Sequence, residues 1–123
     1  MNDVIDSSHM TQGSSTSFTT DRFGNVDSAL ALNGGWTQVP SGSYFNTPEF
    51  SITAWVYPAT SGLWARLIDF GNGENVDNVV VSISSDLDKI PCFELFDAAG
   101  WLGSVTSSNI LTLGKKNYVK KNL

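Results

Sequence analysis

The chain has 123 residues, of which 41% are hydrophobic and 15% are charged, so it is long enough for one domain and too short for two. Its formal net charge of −5 opposes a general role in binding nucleic acids or anionic membranes, because phosphate groups attract basic surfaces. The single cysteine, Cys92, excludes an intramolecular disulfide and a cysteine-built metal site, and no apolar run approaches the roughly 18 residues of a membrane-spanning helix.

Composition divides the chain into three segments. Residues 1–17 are polar and rich in Ser and Thr without helical or strand periodicity, which predicts a flexible leader. Residues 18–114 consist of short β-type runs separated by turn-forming residues, which predicts an all-β domain. Residues 115–123 contain four of the seven basic residues and lack the pattern of a core strand, so we predict a basic tail.

The clearest predicted strand is Phe50–Tyr57, in which two sets of side chains alternate. One set is apolar and is expected to face the core, whereas the other is polar and aromatic. The apolar set is Phe50, Ile52, Ala54 and Val56, and the other set is Ser51, Thr53, Trp55 and Tyr57. The second face suits either another packed layer or a ligand-facing concave surface, and the sequence does not choose between them.

Further strands are predicted toward the C-terminus. Trp64–Phe70 and Asn78–Ser84 both have strand length, and the second contains three consecutive valines, which is typical of a strand buried on much of both faces. Pro91–Phe96 and Trp101–Val105 flank the turn residues of Asp97–Gly100, and this arrangement predicts a β-hairpin.

The segment Asp21–Gly35, with the sequence DRFGNVDSALALNGG, resembles the opening of laminin-G-like, concanavalin-A-like jelly-roll domains, D-x-x-G-N-x-x-S-A-L-x-F-N/D-G. Three later stretches match the same family in the expected order: Thr37–Pro40, Phe50–Pro58 and Arg66–Gly71. The resemblance implies a two-sheet antiparallel jelly-roll β-sandwich over residues 18–114.

The C-terminal part departs from the family pattern. Leu111–Gly114 resembles the start of the family's L-x-x-G-x-W-x-H-V segment, but Lys116 stands near its tryptophan and Tyr118 near its histidine. The strands that usually follow are absent from the sequence, so we expect an incomplete sandwich. Removing strands from a sandwich uncovers apolar faces and unpaired edges. The chain is then a truncated fragment of a larger protein, a domain completed by a partner strand, or a smaller sandwich.

The resemblance implies a non-catalytic recognition module, a lectin-like carbohydrate-binding domain or an extracellular adhesion domain. Its partner would be a glycan or an extracellular protein surface, and an extracellular location is expected from the family, although no signal peptide is visible. The alternative is a structural or interaction domain without a small ligand, which docks on other domains of a longer chain. A third possibility is an inert fragment of a larger protein.

Some relatives of this fold are glycoside hydrolases, and these carry an E-x-D-x-x-E-type strand. The nearest segment is Glu94–Asp97, which has one carboxylate pair, leads into a predicted turn and lacks a third acid. A strand residue and a turn residue explain the two acids without catalysis. We therefore predict that the protein is not an enzyme.

Candidate ligand-binding residues follow from sugar chemistry. The C–H face of a sugar stacks on an aromatic ring, while nearby polar side chains bond its hydroxyl groups. The candidates are Trp55, Tyr57, Trp64, Arg66, Asp69 and Asn72. An aromatic residue in such a fold is more often part of the core, and Asp69 could instead pair with Arg66 or cap a turn. The pairing of Trp55 and Tyr57 on one strand face favours the binding role.

Calcium is common in this kind of fold, and it takes about six to eight oxygen ligands. The candidate ligands are Asp21, Asn25, Glu74 and Asp77, which lie in two loops without EF-hand spacing. A solvated loop is the alternative explanation for each. Cys92 is predicted to be a small buried hydrophobic side chain, and His9 is given no role.

Overall fold

The computed structural model describes residues 9–42, 44, 49–60, 62–71, 76–84 and 90–122. Within them the chain is all-β and antiparallel and contains no helix, so the predicted fold class is confirmed at that level, while the jelly-roll strand order stays a prediction. The strands are β1 (Thr11–Thr19), β2 (Ala29–Gln38), β3 (Ser51–Val56), β4 (Ala65–Phe70), β5 (Val79–Ser84), β6 (Cys92–Asp97), β7 (Gly100–Thr106) and β8 (Asn117–Asn122). This part of the chain therefore has no helix that could cross a membrane.

The chain divides into two compact units, Met1–Pro48 and Glu49–Leu123. In the first unit, β1 pairs with β2 in an antiparallel hairpin. Ser14 lies opposite Trp36 and Thr16 lies opposite Leu32, so three residues of β2 face Ser15 alone. This widened bulge interrupts the ladder and increases the local twist.

Strand β1 occupies residues 11–17 of the segment that the sequence predicted to be a flexible leader. Its Ser- and Thr-rich sequence has no apolar alternation of its own, and the pairing with β2 supplies its backbone hydrogen bonds. A strand held mainly by its partner leaves little signal in its own sequence. Residues 1–8 of the predicted leader lie outside the described residues.

In the second unit, four strands form one antiparallel sheet in the order β4-β5-β6-β7. The buried side chains come mainly from the two central strands, Val80 and Val81 on β5 and Cys92 and Phe93 on β6. The three-valine strand is buried along most of its length, as its composition predicted, and it lies inside the sheet between β4 and β6. The prediction that Cys92 is a buried free cysteine is confirmed.

The predicted hairpin is confirmed as the β6–β7 pair, in which Asp97 lies opposite Gly100. The Asp97 carboxylate accepts a hydrogen bond of 2.7 Å from the Ala99 N–H, and Gly100 has φ +120°, a conformation that favours glycine. These two local features close the turn.

The remaining strands of the second unit, β3 and β8, form a two-stranded antiparallel sheet. Strand β8 lies within residues 115–123, the predicted basic tail. Val119 is buried whereas Lys120 is exposed, so one face of β8 packs inward and the other meets solvent. A lysine-rich sequence is compatible with this position because a sheet edge tolerates exposed charge.

Candidate functional site

Along Phe50–Tyr57, which contains β3, alternate side chains are partly buried and exposed, as the sequence pattern predicted. The partly buried set is Phe50, Ile52, Ala54 and Val56, and the exposed set is Ser51, Thr53, Trp55 and Tyr57. The exposed fraction is 51% for Trp55 and 62% for Tyr57. Of the two possibilities that the sequence left open for this face, such exposure favours a surface that can meet a ligand over a second packed layer.

Trp55 has an aromatic neighbour on the adjacent strand. Tyr118 of β8 lies directly opposite it in the ladder, and the two ring centroids are 5.2 Å apart with the ring planes inclined at 41°. Cross-strand aromatic pairs of this kind contribute roughly 0.2–1 kcal/mol. Tyr118 is itself 53% exposed, so the pair presents ring surface to solvent.

Together, these two strands and Tyr57, which follows β3, carry a continuous exposed surface, which we call the aromatic face. It consists of Ser51, Thr53, Trp55, Tyr57, Tyr118, Lys120 and Asn122. Ser51 donates a hydrogen bond of 2.9 Å to the side-chain oxygen of Asn122, which joins the far end of the face. The face thus combines three rings with hydroxyl, amide and ammonium groups, and it contains no carboxylate.

Tyr118, Lys120 and Asn122 were missed by the sequence analysis because the segment was predicted to be a tail. A signal was present in the alternation around Val119, where Tyr118 and Lys120 flank the one apolar position. A single valine among lysines is too short a pattern to establish a strand, and only pairing with β3 gives it that structure.

The turn before β8 is closed by one side chain. The Asn117 amide accepts a hydrogen bond of 3.0 Å from the Thr112 N–H and donates to the carbonyl oxygens of Thr112, at 3.0 Å, and Lys115, at 2.8 Å. Leu111 is buried at the start of the turn, and the Gly114 N–H donates to the Pro58 carbonyl at 2.9 Å. These contacts fix where β8 begins and therefore where Tyr118 lies.

Three other candidates lie on or beside β4: Trp64, Arg66 and Asp69. They belong to the four-stranded sheet and not to the sheet that carries the aromatic face. Trp64 is 51% exposed in the turn before β4. The sixth candidate, Asn72, lies outside the described residues.

Arg66 and Asp69 form an ion pair, as one of the sequence interpretations of Asp69 expected. Residues three apart on a regular strand face opposite sides of a sheet. Here Arg66 lies opposite Ser82 but Ile68 lies opposite Val81, so β4 contains a bulge that brings the two charged side chains to one side.

The same Asp69 carboxylate also accepts a hydrogen bond of 3.1 Å from the side chain of Asn78, which is buried just before β5. Asp69 therefore connects β4 to the segment that leads into β5. These contacts give the carboxylate a structural role, with both of its oxygens engaged.

The calcium candidates fall in both units. Asp21 and Asn25 lie in the β1–β2 loop, where the Asp21 carboxylate accepts hydrogen bonds of 2.8–2.9 Å from the Phe23 N–H, the Asn25 N–H and the Asn25 side chain. Asp77 lies in a turn of the other unit, and Glu74 lies outside the described residues. No group of three or more His, Cys, Asp or Glu side chains that could hold a metal occurs in the described part of the chain.

A small cavity in the second unit has a volume of about 10 Å³ and is lined in part by Pro58, Ile83, Leu111 and Leu113. This volume holds about one water molecule. A sugar ring does not fit in this cavity.

Comparison with protein-family models, with curated proteins and with solved structures finds no match for this chain. The class of protein that the structure defines is therefore an all-β antiparallel one. The laminin-G-like resemblance and everything it implies about function stay predictions.

Proposed function

We propose that this protein is a non-catalytic recognition module that binds carbohydrate through the aromatic face. The observation that supports this most directly is the exposed Trp55–Tyr118 pair, with the exposed Tyr57 two residues after Trp55 at the end of β3. Rings held in register on two paired strands form a platform on which the C–H face of a sugar can stack. The hydroxyl, amide and ammonium groups around the rings supply hydrogen bonds to sugar hydroxyls.

The two acids that most resemble the catalytic pair of glycoside hydrolases have surroundings that support a role without catalysis. Glu94 and Asp97 are three residues apart on β6, so they point to opposite faces of the strand. The Asp97 carboxylate is engaged with the Ala99 N–H at 2.7 Å. Glycoside hydrolysis needs two carboxyl groups on either side of one bond, about 5–9.5 Å apart and facing a shared space.

The proposal is tested by screening the protein on an array of neutral and acidic oligosaccharides and titrating the best-bound one by calorimetry. Trp55→Ala and Tyr118→Ala should each lower the affinity about tenfold or more, as expected for removal of a central aromatic contact. Trp36→Ala is the matched control, since Trp36 is also a strand tryptophan and is 56% exposed but lies in the other unit.

Stability measurements on the same variants separate binding from folding. Because Trp55 is half exposed, its replacement should cost much less than the about 3–5 kcal/mol typical of a buried aromatic residue. Folded variants that bind every oligosaccharide as tightly as the wild type would refute the proposed site. An array without any binding would instead favour the alternative, an interaction domain without a small ligand.

Calcium binding by the loop that contains Asp77 and Glu74 remains a proposal of its own. A ligand that binds only the folded state raises the unfolding temperature. An unfolding midpoint that rises in millimolar calcium, and not in equal magnesium, would support the site. Equal unfolding midpoints in calcium and in magnesium would refute the calcium site.

A further inference from the structure

Strand β7 ends the four-stranded sheet, and in the described part of the chain it pairs with β6 alone. Its sequence, Gly100–Thr106, contains no charged residue and no proline. Three of its apolar side chains are largely exposed: Trp101 at 61%, Leu102 at 60% and Val105 at 54%. An edge strand with these properties offers free backbone N–H and C=O groups to another strand.

The opposite edge of this sheet and strand β8 of the second unit carry exposed charged side chains, which β7 lacks. At the β4 edge, Arg66 is exposed and two register shifts distort the ladder with β5. Strand β8 exposes Lys120. Charge and bulges are the usual means by which proteins prevent edge-to-edge pairing. On β7, the register shift lies near Trp101, which leaves Gly103–Thr106 in regular pairing with β6.

The four-stranded sheet that contains β7 is stable enough to support an added strand. Strands β5 and β6 carry most of the buried side chains of this unit, including Val80, Val81 and Phe93. A strand that adds to β7 would therefore extend a sheet that already has a core, whereas an isolated two-stranded hairpin is marginally stable.

We propose that β7 is a homodimer interface, at which the β7 strands of two copies of this chain pair antiparallel about a two-fold axis and join two four-stranded sheets into one. An exposed sheet edge recognises an extended strand through its backbone, so the partner must supply an uncharged strand with an accessible edge. A second β7 meets both conditions, and two-fold symmetry makes the contact self-complementary and closed. The two paired β7 strands carry no charged side chain, although the chain as a whole carries −5.

The experiment measures the mass of the full chain in solution by sedimentation equilibrium over a wide range of concentrations. The mass should rise from 13.3 kDa toward twice that value as the concentration increases. Val105→Lys should weaken the association at least tenfold, because a lysine at the edge opposes a second copy across the axis. Val26→Lys is the matched control, since Val26 is an exposed valine, at 75%, in the other unit.

Circular dichroism of each variant establishes that the fold is retained, and hydrogen exchange locates the contact. The amides of residues 103–106 should become more protected as the protein concentration rises, and this change should be absent in Val105→Lys. A wild-type chain that stays monomeric at all concentrations overturns the proposal. A dimer that Val105→Lys leaves intact, or whose protection lies in another strand, overturns it as well.

Discussion

Gly71 is a position at which the fold requires a residue without a side chain. A Cβ atom there would lie 2.2 Å from both the Cγ and the Oδ1 atoms of Asn78, which is far closer than van der Waals contact allows. The Asn78 amide cannot retreat easily, because it is buried and its nitrogen donates to Asp69. The glycine after β4 thus makes room for the side chain that connects β4 to the start of β5.

We predict that Gly71→Ala lowers the free energy of unfolding by about 1–3 kcal/mol, the usual cost of overpacking a filled site. The measurement is urea unfolding followed by circular dichroism. Gly62→Ala is the control, since a Cβ at Gly62 meets nothing within 4 Å. Equal stability of the two alanine variants would contradict the close approach at Gly71.

Asp21 organises the loop between β1 and β2. The hydrogen bond from the Asn25 side chain, helped by the backbone N–H groups of Asn25, Phe23 and Gly24, outweighs partial desolvation and lowers the pKa of Asp21 below its ordinary value of 3.8. The charged carboxylate is therefore favoured in the folded hairpin.

The sign of the pH dependence follows from this shift. Because the pKa is lower in the folded state than in the unfolded state, the stabilisation is fully present above about pH 3.8 and is lost as the pH falls through the folded-state pKa. A carbon-detected NMR titration of Asp21 should give a midpoint below 3.8, and Asn25→Ala should raise it toward that value. An unshifted midpoint in the wild type would contradict the hydrogen-bonded carboxylate.

At the scale of the elements, the position of β8 depends on the turn that precedes it. The Asn117 side chain makes three hydrogen bonds to the backbone of Thr112 and Lys115. This arrangement sets the register in which Tyr118 meets Trp55. A single amide at the first residue of β8 therefore influences the geometry of the aromatic face.

We predict that Asn117→Ala costs about 0.5–1.5 kcal/mol, since the Thr112 and Lys115 backbone groups lose their partner but are exposed to water, which can replace it. Asn117→Asp keeps the acceptor for the Thr112 N–H but removes both N–H donors, so it should also lower the free energy of unfolding. Faster hydrogen exchange at the Val119 amide measures the effect on β8. Asn109→Ala, at an exposed position, is the control, and an equal exchange rate in all variants would refute this role.

At the scale of the whole molecule, the second unit depends on a small core. Phe93 is 4% exposed on β6, and it lies in register with Val81 of β5 on one side and Val105 of β7 on the other. A central strand of this kind links both halves of the four-stranded sheet. Loss of its largest buried side chain leaves a cavity that neighbouring strands fill only in part.

Phe93→Ala is therefore expected to lower stability by about 3–5 kcal/mol, a large part of the total for a chain of this size. Phe23→Ala provides a matched comparison, because Phe23 is 73% exposed in the β1–β2 loop and should change stability by less than about 0.5 kcal/mol. Thermal unfolding of both variants measures the difference. Similar losses from both would mean that the core does not lie at β6.

Local patterns predicted those elements whose own residues carry the information. The alternation of Phe50–Tyr57, the valines of β5 and the turn residues between β6 and β7 all led to strands and a hairpin that the structure confirms. The exposed side of β3, with Trp55 and Tyr57, was also predictable as one face of a strand. Period-two alternation and turn chemistry depend on neighbouring residues alone.

By itself, then, the sequence determined the all-β class, most strand positions, the buried Cys92 and one half of the aromatic face. Only the tertiary structure decided that residues 11–17 belong to β1, that the lysine-rich end forms β8, and that Tyr118 lies opposite Trp55. It also decided, through the bulge in β4, that Arg66 and Asp69 meet. Strand partners, register and bulges arise from backbone hydrogen bonds between segments far apart in the chain, and such contacts leave little trace in the local pattern of either segment.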